Sequence, residues 1–142
     1  MRLDDVETVV GIETEAFSSP WQADTFAGLI GRDTVELVVM ADEERGVIGY
    51  AVLWCVLDQG ELANVAVTPA HRGRGLGSHL LRHVMRVAGQ RGVRKLFLEV
   101  RASNQRALDL YHRLDFVDVG LRRGYYDHPK EDARVMLATL DG

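Results

Sequence analysis

Apolar residues between Val6 and Phe17 recur at helical spacings, at Val6, Val9, Val10, Ile12, Ala16 and Phe17, with acids between them. This spacing predicts a helix over 4–17, whose start Asp4 and Asp5 favour by their negative charge. Ser19-Pro20-Trp21-Gln22 reads as a second helix start, with Ser19 as N-cap, Pro20 as the first helical residue and Gln22 closing a capping box. Trp21, Phe26, Leu29 and Ile30 give that helix its apolar side, and Gly31 ends it. The period then changes. Val35–Ala41 and Val47–Leu57 are β-branched apolar runs around the polar turn 42–46, which predicts a hairpin. Asp58-Gln59-Gly60 turns the chain into a third strand, Glu61–Val67.

Helical spacing returns after the glycines near residue 75. Leu76, Leu80, Leu81, Val84, Val87 and Ala88 form one stripe over 75–90, and Gly92 stops it. Lys95–Arg101 reads as a strand with Leu96, Leu98 and Val100 on one face and Phe97 and Glu99 on the other. Ser103 or Asn104 caps a short helix with its stripe at Ala107, Leu110, Tyr111 and Leu114. Phe116–Leu121 is a strand, Arg122–Glu131 a polar loop, and Ala133–Leu140 the closing strand. The order α-α-β-β-β-α-β-α-β-β combines an antiparallel hairpin with a β-α-β crossover. The expected fold is α/β (α+β), a mixed sheet with helices on its faces.

Composition narrows the function. The 142 residues suit one domain, 1–142, with no linker, repeat or low-complexity tract. A net charge of −4 argues against a dedicated nucleic-acid binder and leaves room for a cationic substrate. One cysteine, Cys55, excludes an internal disulfide and suits a reducing compartment. No apolar run reaches the ~18 residues of a membrane span, and the acids at Asp4 and Asp5 do not suit a signal peptide. A cytoplasmic protein, away from membranes and favoured as a monomer, is the expectation. His79 and His83 lie four apart off the apolar stripe with no third ligand in sight, so no metal site is expected.

The segment Val65–Leu81 carries the first chemistry. An apolar strand ends at Thr68-Pro69, and Arg72-Gly73-Arg74-Gly75-Leu76-Gly77-Ser78 runs into a helix. Such a turn aims unpaired helix N–H groups at a phosphate, and Arg72 and Arg74 add charge-assisted bonds. GxxxxGK[ST] fails here for want of a Lys-Ser or Lys-Thr, and GxGxxG fails on its last spacing. Arg-x-x-Gly-x-Gly, from Arg72 to Gly77, resembles the acyl-CoA pyrophosphate loop of the GNAT superfamily (GCN5-related N-acetyltransferases). Seen alone, a glycine turn of this kind also serves as a tight connection.

Further motifs narrow the resemblance. Leu98-Glu99-Val100-Arg101-Ala102-Ser103-Asn104, followed by Ala107-Leu108-x-Leu110-Tyr111-x-x-Leu114-x-Phe116, is similar to the RimI family of ribosomal-protein-alanine N-acetyltransferases. Ser19-Pro20-Trp21 and Arg122-Arg123-Gly124-Tyr125-Tyr126 resemble the same family. The family usually has Leu-Gly-Phe where this chain has Leu114-Asp115-Phe116; Asp tolerates the left-handed helix end at a small cost. GNAT domains usually open on a strand before the first helix, and Met1–Leu3 leave that strand short or missing.

The resemblance implies a GNAT fold, acetyl-CoA as co-substrate and a protein N-terminus as acceptor, a ribosomal protein among the candidates. It implies Glu99 as base and Tyr111 as acid. Backbone groups of Val65, Ala66 and Val67 would bond the pantetheine arm and the thioester carbonyl. Gly73, Arg74, Gly75, Leu76, Gly77 and Ser78 would hold the pyrophosphate with Arg72 nearby, and Asn104 would bond the arm. Trp21, the turn Asp58–Glu61 and Tyr125-Tyr126 would flank the acceptor's mouth, with Glu61 drawing in a basic peptide. The residues by themselves leave other readings open. Glu99 is also what an exposed strand position looks like, Tyr111 suits a core stripe, and Asn104 suits a helix cap. Rival functions are a GNAT enzyme for a lysine, polyamine or drug amine, or a non-catalytic acyl-CoA-binding module.

Overall fold

The computed structural model describes residues 1–17, 19–68, 75–127 and 129–140. Its elements are α1 (Val6–Ala16), α2 (Ala23–Leu29), β1 (Val35–Asp42), β2 (Gly46–Val56), β3 (Gln59–Val67), α3 (Leu76–Gln90), β4 (Lys95–Arg101), α4 (Gln105–Arg113), β5 (Val117–Tyr126) and β6 (Glu131–Thr139). This is the expected order. A single 3-10 turn, Leu3–Asp5, precedes α1, so no strand opens the described chain.

The sheet runs β1-β2-β3-β4-β6-β5. Only β3 and β4 pair parallel; the other neighbours are antiparallel, so the sheet is mixed as expected. Alternation along the strands builds two apolar layers. On one face, Leu53, Leu62, Leu96, Leu98, Val100 and Met136 pack with Leu80, Leu81, Val84 and Ala88 of α3 and Leu108 and Tyr111 of α4. On the other, Val35, Tyr50, Val52 and Ala66 pack with Val6, Val9 and Ile12 of α1 and Phe26 and Leu29 of α2. The second layer draws its sheet residues from β1, β2 and β3, so α1 and α2 cover half of their face. Among the described residues, no helix is long and apolar enough to cross a membrane.

Several boundaries differ from the sequence reading, each for a local reason. Ser19 and Pro20 lie outside α2, which starts at Ala23 with Gln22 as N-cap. The Trp21 N–H is instead held by Glu13 Oε2 at 2.9 Å, which ties this segment to the end of α1. The β2–β3 connection is the two residues Leu57-Asp58, with Val56 already paired to Gln59, so β3 begins two residues early. The expected loop Arg122–Glu131 is strand up to Tyr126, which pairs with Glu131. Arg101 draws the remaining turn inward by donating to Asp127 O (3.0 Å) and Pro129 O (2.9 Å).

Candidate active site

The site starts from a fault in the sheet. β3 and β4 pair from Gln59↔Lys95 to Leu62↔Leu98 and then separate. The register of β3 against β2 slips at the same place: Leu53 pairs with Leu62 and Val52 with Asn64, leaving Ala63 as an extra residue. A bulge of this kind bends its strand and re-aims it. Beyond it, Val65, Ala66 and Val67 keep their ladder to β2 at Ala51, Tyr50 and Gly49, while among the described residues the pairing with β4 does not continue past Leu62. A wedge thus opens at the carboxyl ends of two parallel strands, where α/β sheets bind ligands.

α3 begins beside this wedge. Its N-cap, Gly75, sits at φ +75°, a conformation that glycine adopts without steric cost. Among the described residues no side chain caps the helix, and no acid lies in its first turn. The N–H groups of Leu76, Gly77 and Ser78 therefore keep their capacity for an anion. A Cβ at Gly77 would stand 3.6 Å from Leu110 Cδ2, so the first turn of α3 lies against α4. Arg72, Gly73 and Arg74 lie outside the described residues. Asn104 caps α4 by accepting from Ala107 N at 3.2 Å, and its amide NH2 is left to donate elsewhere.

Glu99 and Tyr111 lie on opposite faces of β4. Tyr111 belongs to the α3–α4 layer, with its ring 5.6 Å from that of Phe116. Burial pushes its hydroxyl well above the usual tyrosine range, and Tyr126 adds to the shift. Glu99 shares its face with Phe97, on the side that α1 and α2 leave uncovered. It lines a cleft of about 430 Å³ with Trp54, Glu61, Phe97, Arg122 and Val135. All of these come from strands, through the pairs Trp54↔Glu61, Glu61↔Phe97 and Glu99↔Val135.

Two groups from β5 engage Glu99. Arg122 Nη1 lies 3.2 Å from Oε1. The Glu99 carboxylate is the main reason that the Tyr125 hydroxyl sits above its ordinary range. Tyr126, more buried, is pushed up to about 12. The Arg101 guanidinium stands 4.4 Å above the Tyr126 ring and fixes the end of the hairpin.

The structure thus brings Glu99, Glu61 and Tyr125 to one cleft, with Val65–Val67 and the start of α3 at the wedge beside it. Trp21, expected at the mouth, packs 5.5 Å from the ring of Phe26 on the edge of the α1–α2 layer. The sequence reading missed Trp54, Phe97 and Arg122 as cleft residues. For Trp54 and Phe97 a signal existed, since a two-residue turn at Leu57-Asp58 would have set Trp54 opposite Glu61 and both beside Phe97. Arg122 lay in a segment read as loop.

A sequence model of the Acetyltransferase (GNAT) family matches residues 6–116. The chain is 40% identical over 138 residues to the [ribosomal protein bS18]-alanine N-acetyltransferase of Salmonella typhimurium, covering 96% of this chain and 92% of that protein. It is 37% identical to the enzyme of the same name from Escherichia coli K12, with the same coverage. The crystal structure of the ribosomal-protein-S18-alanine N-acetyltransferase from Escherichia coli superposes with a TM-score of 0.90 at 34% identity, covering 100% of this chain and 93% of that one.

Proposed function

The chain belongs to the GNAT acetyltransferase family, and from that premise we propose that it transfers the acetyl group of acetyl-CoA to the N-terminal α-amine of a protein, with the alanine of ribosomal protein bS18 as the foremost acceptor. The observation that carries this reading is the near full-length similarity to bS18-alanine N-acetyltransferases. The cleft supports it by setting a carboxylate beside the wedge. The resemblance to RimI enzymes also favours a cytoplasmic location.

The chemistry asks little of the base. A peptide α-amine has a pKa of roughly 7.7–8.0, so about a tenth is neutral at pH 7, a deficit near 1.4 kcal/mol. Glu99 takes the proton from the ammonium, directly or through a water. The amine attacks the thioester carbonyl, which backbone groups of Val65–Val67 orient. Tyr111 gives its proton to the departing thiolate and is restored, through solvent, by the second proton that the nitrogen sheds on becoming an amide; burial keeps its hydroxyl above the ordinary tyrosine range. The acetyl-CoA pyrophosphate suits the uncapped N–H groups of Gly75–Ser78, joined by Arg72, Gly73 and Arg74, and Asn104 suits the pantetheine arm. Glu61 and Glu99 make the cleft attractive to a basic peptide.

Intact-mass spectrometry tests the reading. Peptides beginning Ala-Arg gain one acetyl group with acetyl-CoA present, whereas activity confined to small amines would reject it. Glu99→Gln and Tyr111→Phe should each slow turnover by about 100-fold. Acetyl-CoA affinity should stay within about twofold in both, because neither change removes uniform binding.

A further inference from the structure

Glu99 is already engaged by a cation. Arg122 meets it with Nη1 3.2 Å from Oε1, and its guanidinium also stands 5.4 Å over the Tyr125 ring. The two partners differ in exposure: the Glu99 side chain is 15% exposed and that of Arg122 59%. The cation therefore reaches the carboxylate from the solvent side of the cleft, by the route open to an acceptor. A guanidinium does not lose its proton in a protein, so it cannot serve Glu99 as a proton donor in turnover. It can only stabilise the charged carboxylate and occupy its oxygen. An ion pair with a mostly exposed arginine is weak, and an ammonium can exchange with it.

We infer that Arg122 is a displaceable counter-ion of Glu99, holding the place of the acceptor's α-ammonium until the peptide arrives and then yielding it. This rests on Glu99 being the base. The arrangement gives the carboxylate a partner between turnovers, at the cost of competition with the acceptor. It also selects the acceptor, since only a cationic group small enough for the cleft exchanges with the guanidinium. The groups that share this environment are Glu61 from β3, Tyr125 and Tyr126 from β5, and Arg101 on β4 itself, while β6 presents the apolar Val135. Arg122 is the cation in contact with the Glu99 carboxylate among the described residues.

Steady-state kinetics on an Ala-Arg peptide test this in the full chain, with Arg122→Met, Arg122→Lys and Glu99→Gln. Arg122→Met should lower the peptide KM by about threefold, because a competitor is gone. Arg122→Lys keeps the charge and should bring the peptide KM back toward that of the parent chain. An unchanged or higher KM in Arg122→Met, or an Arg122→Lys that behaves like Arg122→Met, overturns the inference. Near-normal turnover in Glu99→Gln instead overturns the reading of Glu99 as base. Acetyl-CoA binding, measured on each variant, confirms an intact fold.

Discussion

Glu13 is 1% exposed and accepts from three groups: the Tyr50 hydroxyl, the Asn64 amide at 2.8 and 3.0 Å, and the Trp21 N–H at 2.9 Å. It joins α1 to β2, to the residue after the bulge in β3, and to the segment that leads into α2. A buried carboxylate is tolerated when its oxygens are fully used. Removing it leaves three donors stranded, so Glu13→Ala should lower the unfolding free energy by about 3 kcal/mol. Glu13→Gln, which retains one carbonyl oxygen, should lose about half as much. Urea denaturation followed by circular dichroism checks both. In the sequence, Glu13 looked like one acid among several on a surface helix. The clue was its place four residues after Val9 and seven after Val6, on the apolar stripe itself. Asp115 was the opposite case. The expected left-handed helix end is there, at φ +69°, because a chain leaving α4 for β5 has to reverse locally whatever residue it carries.

At the scale of the element, β3 has little room against β2. A Cβ at Gly49 of β2 would stand 3.1 Å from the carbonyl oxygen of Ala66 and 3.4 Å from Val67 Cγ2. Backbone cannot yield as a flexible side chain does, so Gly49→Ala should push β3 at the positions proposed to hold the pantetheine arm. Acetyl-CoA affinity should fall about tenfold, by calorimetry, with a stability loss of about 1–2 kcal/mol. Helices and strands with clean periodicity were legible to within a few residues. Departures came where a distant side chain overrides the local pattern. Glu13 keeps Ser19 and Pro20 out of α2, and Arg101 tightens a polar stretch that composition alone presents as loop. The bulge at Ala63 had no signature in the residues Leu62-Ala63-Asn64, since it arises from register against β2.

The whole molecule withholds ionisation from several tyrosines. Burial leads the upward shift of the Tyr50, Tyr111 and Tyr126 hydroxyls, which for Tyr50 the neighbouring Glu13 reinforces. In the unfolded chain each titrates near 10. The folded state thus holds these protons more tightly, so its stability is complete below about pH 10 and declines above it. For Tyr126 the loss extends to about 12. Denaturant midpoints at pH 8, 10 and 11 should fall over the last interval, in step with phenolate absorbance at 295 nm. A midpoint that holds steady to pH 11 would contradict this. At this scale the two-layer architecture could be read from order and periodicity. The half-covered face could not, because nothing local to α1 and α2 says how far across the sheet they extend.

That uncovered half has a kinetic consequence. Glu99 looks out on one side of β4 and Tyr111 on the other, with the parted strands between them. For the proposed reaction, peptide and coenzyme use separate doorways, one on each side of the sheet, and meet through a slot in it. Neither has to leave before its partner enters, and the thiol product departs without crossing the path of the acetylated chain.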